Sequence, residues 1–130
     1  MLVIDASVAA DLVLPSPDAP RLAAVLAAAD APWHAPHLID AEVAYVLRRY
    51  APLGAIGDSR GERALQLLSA LPIERHDAAA LLGRVWALRH AMTAHDALYV
   101  ALAEVLAATF VTRDRRLASV AQRVVSVEVL

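Results

Sequence analysis

The sequence predicts an α/β protein in which helices and strands alternate around a parallel sheet. The 130 residues include 30 Ala and 20 Leu, and both residue types lose little side-chain entropy in a helix. Short apolar or β-branched runs recur between the helical segments, as expected for buried strands. Such alternation implies right-handed crossovers, a sheet covered on both faces, and ligands bound beyond the carboxyl ends of the strands.

Five strands are predicted, at Leu2–Ile4, Trp33–Ala35, Ile73–Arg75, Thr109–Thr112 and Val124–Val129. Helices are predicted between them, at Val8–Leu14, Arg21–Ala29, His37–Tyr50, Asp58 or Ser59 to Leu71, Ala78–His90, Thr93–Ala108 and Asp114–Ala121. Ser7 is expected to cap the first helix, and Pro15 and Pro17 to end it. The segment Pro52–Gly57 breaks the chain. Because no repeat or Gly/Ser linker divides the sequence, we expect one domain over residues 1–130.

The composition excludes several kinds of chemistry. All 12 basic residues are Arg and none is Lys, which excludes a lysine Schiff base, a lysine general base and a P-loop lysine. The absence of Cys excludes disulfides and cysteine-ligated metal sites. No segment is long and apolar enough for a membrane span, so we expect a soluble protein located in the cytoplasm.

Four acidic residues stand out by their positions. Asp5 and Asp114 each follow a predicted strand, so they should meet at one edge of the sheet. Each could equally be an ordinary helix cap. Asp96 has capping-box spacing after Thr93, but it opens a helix that is apolar nearly all round. A carboxylate there needs a compensating cation or several hydrogen-bond donors. Glu42 borders the apolar stripe of its helix, where a boundary residue with its head in water is the simpler interpretation.

Together, Asp5, Glu42, Asp96 and Asp114 indicate a metal site, because no lysine can neutralise them. Hard oxygen ligands favour Mg²⁺, and Mn²⁺ is expected to substitute for it. By contrast, His34 and His37 lack a third ligand at helical spacing, so a zinc site there is not expected. The aromatic residues are expected to pack against the core and not to stack on bases, namely Trp33, Trp86, Tyr45 and Tyr99.

Four segments carry a resemblance to a known family. They are Val3-Ile4-Asp5-Ala6-Ser7, Ala35-Pro36-His37-Leu38 leading to Ala41-Glu42-Val43, residues 93–103 (TAHDALYVALA), and Phe110-Val111-Thr112-Arg113-Asp114. In order and spacing the sequence resembles a PIN-domain ribonuclease of the VapC toxin type, from bacterial toxin–antitoxin systems. The small hydroxyl residue usual in that family before the glutamate segment is replaced here by Asp40 and Ala41.

The resemblance implies a three-layer fold with a five-stranded parallel sheet and a Mg²⁺ site made of Asp5, Glu42, Asp96 and Asp114. It also implies that Ser7 and Thr112 support these ligands by hydrogen bonds. The implied activity is hydrolysis of RNA phosphodiester bonds to 5′-phosphate and 3′-hydroxyl ends. The implied partners are RNA, a second copy of the chain, and a VapB-type antitoxin.

Arginines near the expected site are candidates for RNA contact, because the guanidinium binds phosphate through two parallel hydrogen bonds. The candidates are Arg49, Arg113, Arg115 and Arg116, whereas Arg48 is expected to point away from Glu42. Two other functions compete with the ribonuclease. The first is a phosphoacceptor receiver domain, which usually has a late lysine that this sequence does not contain. The second is a non-catalytic PIN-like module that binds RNA or a partner, which would not need all four carboxylates.

Overall fold

The computed structural model describes residues 1–14, 16–50 and 57–130. Its strands are β1 (Leu2–Ile4), β2 (Trp33–Pro36), β3 (Ile73–His76), β4 (Thr109–Thr112) and β5 (Val127–Val129). Its helices are α1 (Ala6–Val13), α2 (Ala19–Ala28), α3 (Leu38–Tyr50), α4 (Asp58–Ala70), α5 (Leu82–Ala87), α6 (Ala94–Val105) and α7 (Arg115–Ala121), and a 3₁₀ turn (Ala79–Leu81) precedes α5. None of the described helices is long and apolar enough to cross a bilayer.

All strand pairs are parallel, and the strand order is β3-β2-β1-β4-β5. The predicted α/β class and five-stranded parallel sheet are therefore confirmed. The chain builds outward from β1 to β3, then returns to the other side of β1 for β4 and β5. The order reverses beside β1, and in open parallel sheets such a reversal leaves a crevice at the carboxyl ends of the strands.

The central strands are buried on both faces, as a parallel sheet requires. Val3 and Ile4 of β1 and Phe110 and Val111 of β4 have no solvent exposure. Helix α6 is also inaccessible over most of its length, with every residue from Ala97 to Ala103 buried. The prediction of a buried α6 is thus confirmed, and the carboxylate at its first turn lies at the rim of the core.

The first helix differs from its prediction at both ends. It begins at Ala6 and not at Val8, because Asp5 is the N-cap and its side chain accepts hydrogen bonds from the backbone N–H groups of Ser7 and Val8. The prediction that Ser7 caps the helix was wrong, since Ser7 lies in its first turn. The helix ends at Val13; Pro15, like residues 51–56 of the predicted break, lies outside the described residues.

Three further elements differ from their prediction by three or more residues at one end, while the remaining boundaries differ by two residues or fewer. The predicted helix at Ala78–His90 is split into the 3₁₀ turn and the short α5. Strand β5 begins at Val127 and not at Val124, because the N–H groups of Val124 and Val125 both donate to the carbonyl of Ala121. Helix α6 ends at Val105, three residues early, because Ala107 takes a left-handed conformation with φ of 48°.

Candidate active site

Asp5 lies at the carboxyl end of β1, on the central strand of the sheet. Its backbone N–H donates to the carbonyl of Val111 on β4, which fixes the end of one strand against the other. Its side chain is 6% exposed. Oδ1 accepts hydrogen bonds from the N–H groups of Ser7 and Val8 and from the Ser7 hydroxyl, and Oδ2 accepts one from the Thr112 hydroxyl. The carboxylate orientation is therefore fixed by four donors.

The same two hydroxyls also organise the end of β4. Ser7 Oγ accepts from the N–H of Arg113 at 3.0 Å, and Thr112 Oγ1 accepts from the N–H of Asp114 at 2.9 Å. Each hydroxyl thus donates to Asp5 and accepts from the segment that leads into α7. This geometry holds Asp114 near Asp5, although the two residues are far apart in sequence.

Asp96 and Asp114 both serve as part of a helix start. Asp114 is the N-cap of α7, and its Oδ1 accepts from the N–H groups of Arg116 and Leu117. Asp96 lies in the first turn of α6, where Thr93 is the N-cap; its N–H donates to Thr93 Oγ1, and its Oδ2 accepts from the Thr93 hydroxyl at 2.8 Å. The capping roles anticipated for both residues are real, and they leave each carboxylate facing the same cleft.

Glu42 reaches this cleft from α3 and is held by a tyrosine. The Tyr99 hydroxyl, on α6, donates to Glu42 Oε2 at 2.6 Å. His95 approaches from the α6 start, with Nδ1 3.5 Å from Glu42 Oε1. Within the described residues, Glu42 is the one member of the four with an ion-pair partner. The negative charge of the cleft is therefore largely uncompensated by protein cations.

Burial raises the pKa of two of these carboxyl groups, and neighbouring negative charges add to the effect at Glu42. Burial raises the pKa of Asp5, against the opposing effect of its four hydrogen bonds. Burial also raises the pKa of Glu42; the Tyr99 hydrogen bond and His95 lower it, while Asp96 and Asp5 raise it further. Burial and the adjacent Glu42 carboxylate raise the pKa of Tyr99 strongly. Its hydroxyl therefore stays protonated and donates to Glu42. A cation in the cleft would relieve these costs.

A single cleft is lined by Asp5, Ser7, Glu42, Asp96, Tyr99 and Asp114, together with Ala6 and Leu117. Among the described residues, the four carboxylates lie further apart than the ligands of a fully protein-coordinated metal. No three of them bring one oxygen each within 4.8 Å of one another. The donor set is all oxygen, and it fits Mg²⁺, which retains several waters and needs only one or two direct carboxylate ligands.

Comparison with known proteins places this cleft in a family context. Residues 2–123 match the PIN domain family. The VapC ribonuclease Mb0985 of Mycobacterium bovis is 40% identical over 122 residues, which cover 94% of this chain and 92% of that protein. Ribonuclease VapC3 of Mycobacterium tuberculosis is 39% identical over 118 residues, covering 90% of this chain and 85% of its own. The chain belongs to the VapC ribonucleases of the PIN domain family.

Solved structures agree on the fold of this PIN domain. PAE2754 from Pyrobaculum aerophilum superposes with a TM-score of 0.71 at 21% identity, covering 91% of this chain and 84% of its own. VapBC2 from Rickettsia felis, bound to a DNA fragment from its promoter, superposes with a TM-score of 0.67 at 15% identity, covering 98% of this chain and 96% of its own.

The arginines of the PIN domain divide into two groups around the cleft. Arg113 forms ion pairs with Asp11 of α1 and with Asp18, the latter at 3.1 Å. Two carboxylates therefore already contact the Arg113 guanidinium, so an RNA phosphate would have to compete with them, and RNA contact by Arg113 stays a prediction. Arg116, in contrast, is exposed and lines a recess together with Asp96 and Asp114.

The remaining arginine candidates lie on the surface. Arg115 and Arg49 are exposed, at the start of α7 and near the end of α3. Arg48 lines a groove between α3 and α4 with Asp58 and Glu62, away from the acidic cleft, in agreement with the prediction that it points elsewhere.

Tyr99 is the site residue of the PIN domain that sequence reasoning placed only in the core. The prediction that it packs is correct, since it is 2% exposed and lies against Phe110, but its hydroxyl also contacts Glu42. The available signal was a tyrosine on an otherwise apolar helix, because a buried hydroxyl needs a hydrogen-bond partner. Trp33 packs against the core as expected, whereas the same expectation for Trp86 and Tyr45 was wrong, since both are more than half exposed.

Proposed function

We propose that this chain is a Mg²⁺-dependent endoribonuclease that hydrolyses RNA phosphodiester bonds and acts as the toxin of a VapBC-type module. The observation that carries the proposal is the single cleft lined by Asp5, Glu42, Asp96 and Asp114 at the carboxyl ends of β1 and β4. Membership in the VapC ribonucleases supports the activity, and the uncompensated charge of the cleft supports the requirement for a divalent cation.

The residues of the cleft have separable roles in this proposal. Asp5, locked by Ser7 and Thr112, is the fixed metal ligand, and Asp96 and Asp114 supply further oxygens from two helix starts. Asp5, Asp96 and Asp114 would hold Mg²⁺ or Mn²⁺, either of which would supply polarisation of a phosphate oxygen, a lowered pKa for a water and stabilisation of the leaving oxygen. Glu42, positioned by Tyr99, either binds a second ion or orients the attacking water, so that hydrolysis leaves 5′-phosphate and 3′-hydroxyl ends.

RNA contact is assigned to the exposed arginines near the cleft, Arg49, Arg115 and Arg116. Arg116 is the best placed of the three, because it shares a recess with Asp96 and Asp114. A guanidinium there can bind a phosphate beside the one being cleaved. Arg113 also ties the β4–α7 connection to α1 through its ion pair with Asp11, and RNA contact there would require a phosphate to displace that pair.

Three further features belong to the same proposal. A VapB-type antitoxin is the expected protein partner, supported by the likeness to the solved VapBC2. Homodimerisation is supported by apolar side chains left exposed on α5 and α6, namely Leu82, Trp86 and Val105, and light scattering tests it. The proposed place of action is the cytoplasm.

Cleavage of RNA by the purified chain tests the proposal directly. We expect cleavage with Mg²⁺ or Mn²⁺, none with EDTA, and a loss of at least about 100-fold for Asp5→Asn and Asp96→Asn, since each removes a charged ligand. Asp30→Asn is the matched control, because Asp30 is exposed and lies outside the cleft.

Two results would count against the proposal. Cleavage by Asp5→Asn at the rate of Asp30→Asn would place the chemistry elsewhere. Absence of both Mg²⁺ affinity by calorimetry and cleavage in the wild type would favour a non-catalytic module.

A further inference from the structure

Three metal-ligating side chains lie together on β2 and β3, outside the acidic cleft. His34 on β2 is in register with Glu74 on β3, and Pro36 is in register with His76. Side chains alternate between the faces of a strand. Arg75 lies against Asp40 of α3 and the carbonyl of Leu68 in α4, so Glu74 and His76 project from the other face.

The distances among the three groups match those between ligands of one ion. His34 Nδ1 is 3.0 Å from His76 Nε2 and 3.6 Å from Glu74 Oε2, and His76 Nε2 is 3.8 Å from Glu74 Oε1. Neighbouring ligands of a tetrahedral zinc, with bonds of about 2.0–2.1 Å, lie about 3.3 Å apart. The observed spacings bracket that value, and all three ligand atoms lie within 4.8 Å of one another.

His34 is deeply buried, and its two ring nitrogens differ in their surroundings. His34 is 5% exposed, and its Nε2 has no hydrogen-bond partner within the described part of the chain. Within the described residues, the polar contacts of the His34 ring run through Nδ1, which shares a hydrogen bond with His76 Nε2 and faces Glu74 Oε2. An ion bound among the three groups would take the place of that hydrogen bond. Glu74 is two-thirds exposed, so an ion can enter from solvent on that side.

We propose that His34, Glu74 and His76 form a second metal site, which binds a transition-metal dication such as Zn²⁺ and leaves a fourth position to water. Two imidazoles and one carboxylate suit Zn²⁺, Co²⁺ or Ni²⁺ and not Mg²⁺. The ion would join the edge strand β3 to β2, directly before the helix that carries Glu42. This site is independent of the proposed ribonuclease activity.

Calorimetric titration of the full chain with ZnCl₂, in excess MgCl₂ to occupy the acidic cleft, tests the site. We expect the chain to bind one equivalent of Zn²⁺ and its Tm to rise, because an ion that binds only the folded state stabilises it. Zn²⁺ binding and the rise in Tm should be lost in His76→Gln and weakened in Glu74→Gln. His90→Gln is the matched control, since His90 is exposed and outside the group, and it retains both, as does Asp5→Asn.

Absorption of CoCl₂-loaded protein gives a second measurement that is independent of stability. The wild type and His90→Gln should show the intense visible bands of tetrahedral Co²⁺, and His76→Gln should not. Unchanged Zn²⁺ stoichiometry and Co²⁺ spectrum in His76→Gln would overturn the proposal. Loss of Zn²⁺ binding in Asp5→Asn with retention in His76→Gln would assign the ion to the acidic cleft, with the same consequence. RNA cleavage in Mg²⁺ alone tests the proposed ribonuclease activity separately, because His76→Gln should cleave at the wild-type rate.

Discussion

At the scale of single residues, Tyr99 is 2% exposed, and its hydroxyl donates a 2.6 Å hydrogen bond to Glu42. The ring belongs to the core, while the hydroxyl fixes one oxygen of a cleft carboxylate. Removal of the hydroxyl alone therefore separates the two roles, because the ring of a phenylalanine fills the same space.

We expect Tyr99→Phe to fold with a Tm near that of the wild type but to cleave RNA about 10–100-fold more slowly, as is typical when a group that orients a ligand is lost. The hydrogen bond lowers the pKa of Glu42, so its loss raises that pKa further. If ionised Glu42 is required, the acidic limb of the pH–rate profile moves to higher pH, and half-maximal activity needs more Mg²⁺.

Tyr45→Phe is the control for this change, because Tyr45 is also a tyrosine near Glu42 in sequence but is 57% exposed. Steady-state rates across pH and Mg²⁺ concentration compare the two variants. Equal behaviour of the two would show that the Tyr99 hydroxyl has no positioning role.

At the scale of elements, the backbone is strained at Ala107, just after the end of α6. The N–H of Ala108 donates to the carbonyl of Ala103, and that of Ala107 donates to Glu104, which is the Schellman pattern of helix termination. The left-handed residue of this motif is usually Gly, but here it is Ala107 with φ of 48°. An L-residue with a Cβ costs about 1–2 kcal/mol in this region.

We expect Ala107→Gly to raise the free energy of unfolding by about 0.5–1 kcal/mol, since the relief of strain exceeds the extra entropy of glycine in the unfolded chain. Ala24→Gly, at an exposed position inside α2, should lower it by about 1 kcal/mol. Urea denaturation measures both variants. A destabilised Ala107→Gly would show that the α6 terminus carries no such strain.

The elements also show what the sequence could and could not predict. Strand ends of a parallel sheet meet at one edge, so Asp5 and Asp114 could be placed together from their positions alone. Two other features could not be predicted, because they depend on strand register and on which helix packs beside which strand. They are the ion pairs of Arg113 and the group of His34, Glu74 and His76. In the sequence the nearest histidine to His34 is His37, whereas its spatial neighbours lie on β3, 40 and 42 residues further on.

At the scale of the whole molecule, the formal net charge of −2 includes four negative charges that are gathered in the cleft. Without the four cleft carboxylates, ten acidic residues face 12 arginines, since 14 minus 4 is 10. The rest of the chain then carries a formal charge of +2, since 12 arginines outnumber ten acidic residues by two. Phosphate binding by arginine depends on salt through the release of counterions.

We expect the double substitution Arg115→Ala/Arg116→Ala to weaken binding of single-stranded RNA and to reduce the slope of log K against log salt by about 1.4, at about 0.7 per phosphate contact. The control is Arg60→Ala/Arg63→Ala, which removes two exposed charges from α4. The RNA affinity of both variants is measured at several salt concentrations, with Ca²⁺ as the divalent cation. An unchanged slope in the first variant would exclude these arginines from phosphate contact.

The hydrogen bond from Thr112 to Asp5 joins residues 107 positions apart. Its formation requires β4 to be inserted beside β1 after three crossovers have folded, so it belongs to the contacts of greatest loop-closure cost. A nascent or truncated chain that stops before β4 contains Asp5 and Glu42 but neither Thr112 nor Asp114. Completion of the acidic cleft therefore requires β4 to pair with β1, and a chain that lacks this pairing has no assembled site with which to cut RNA.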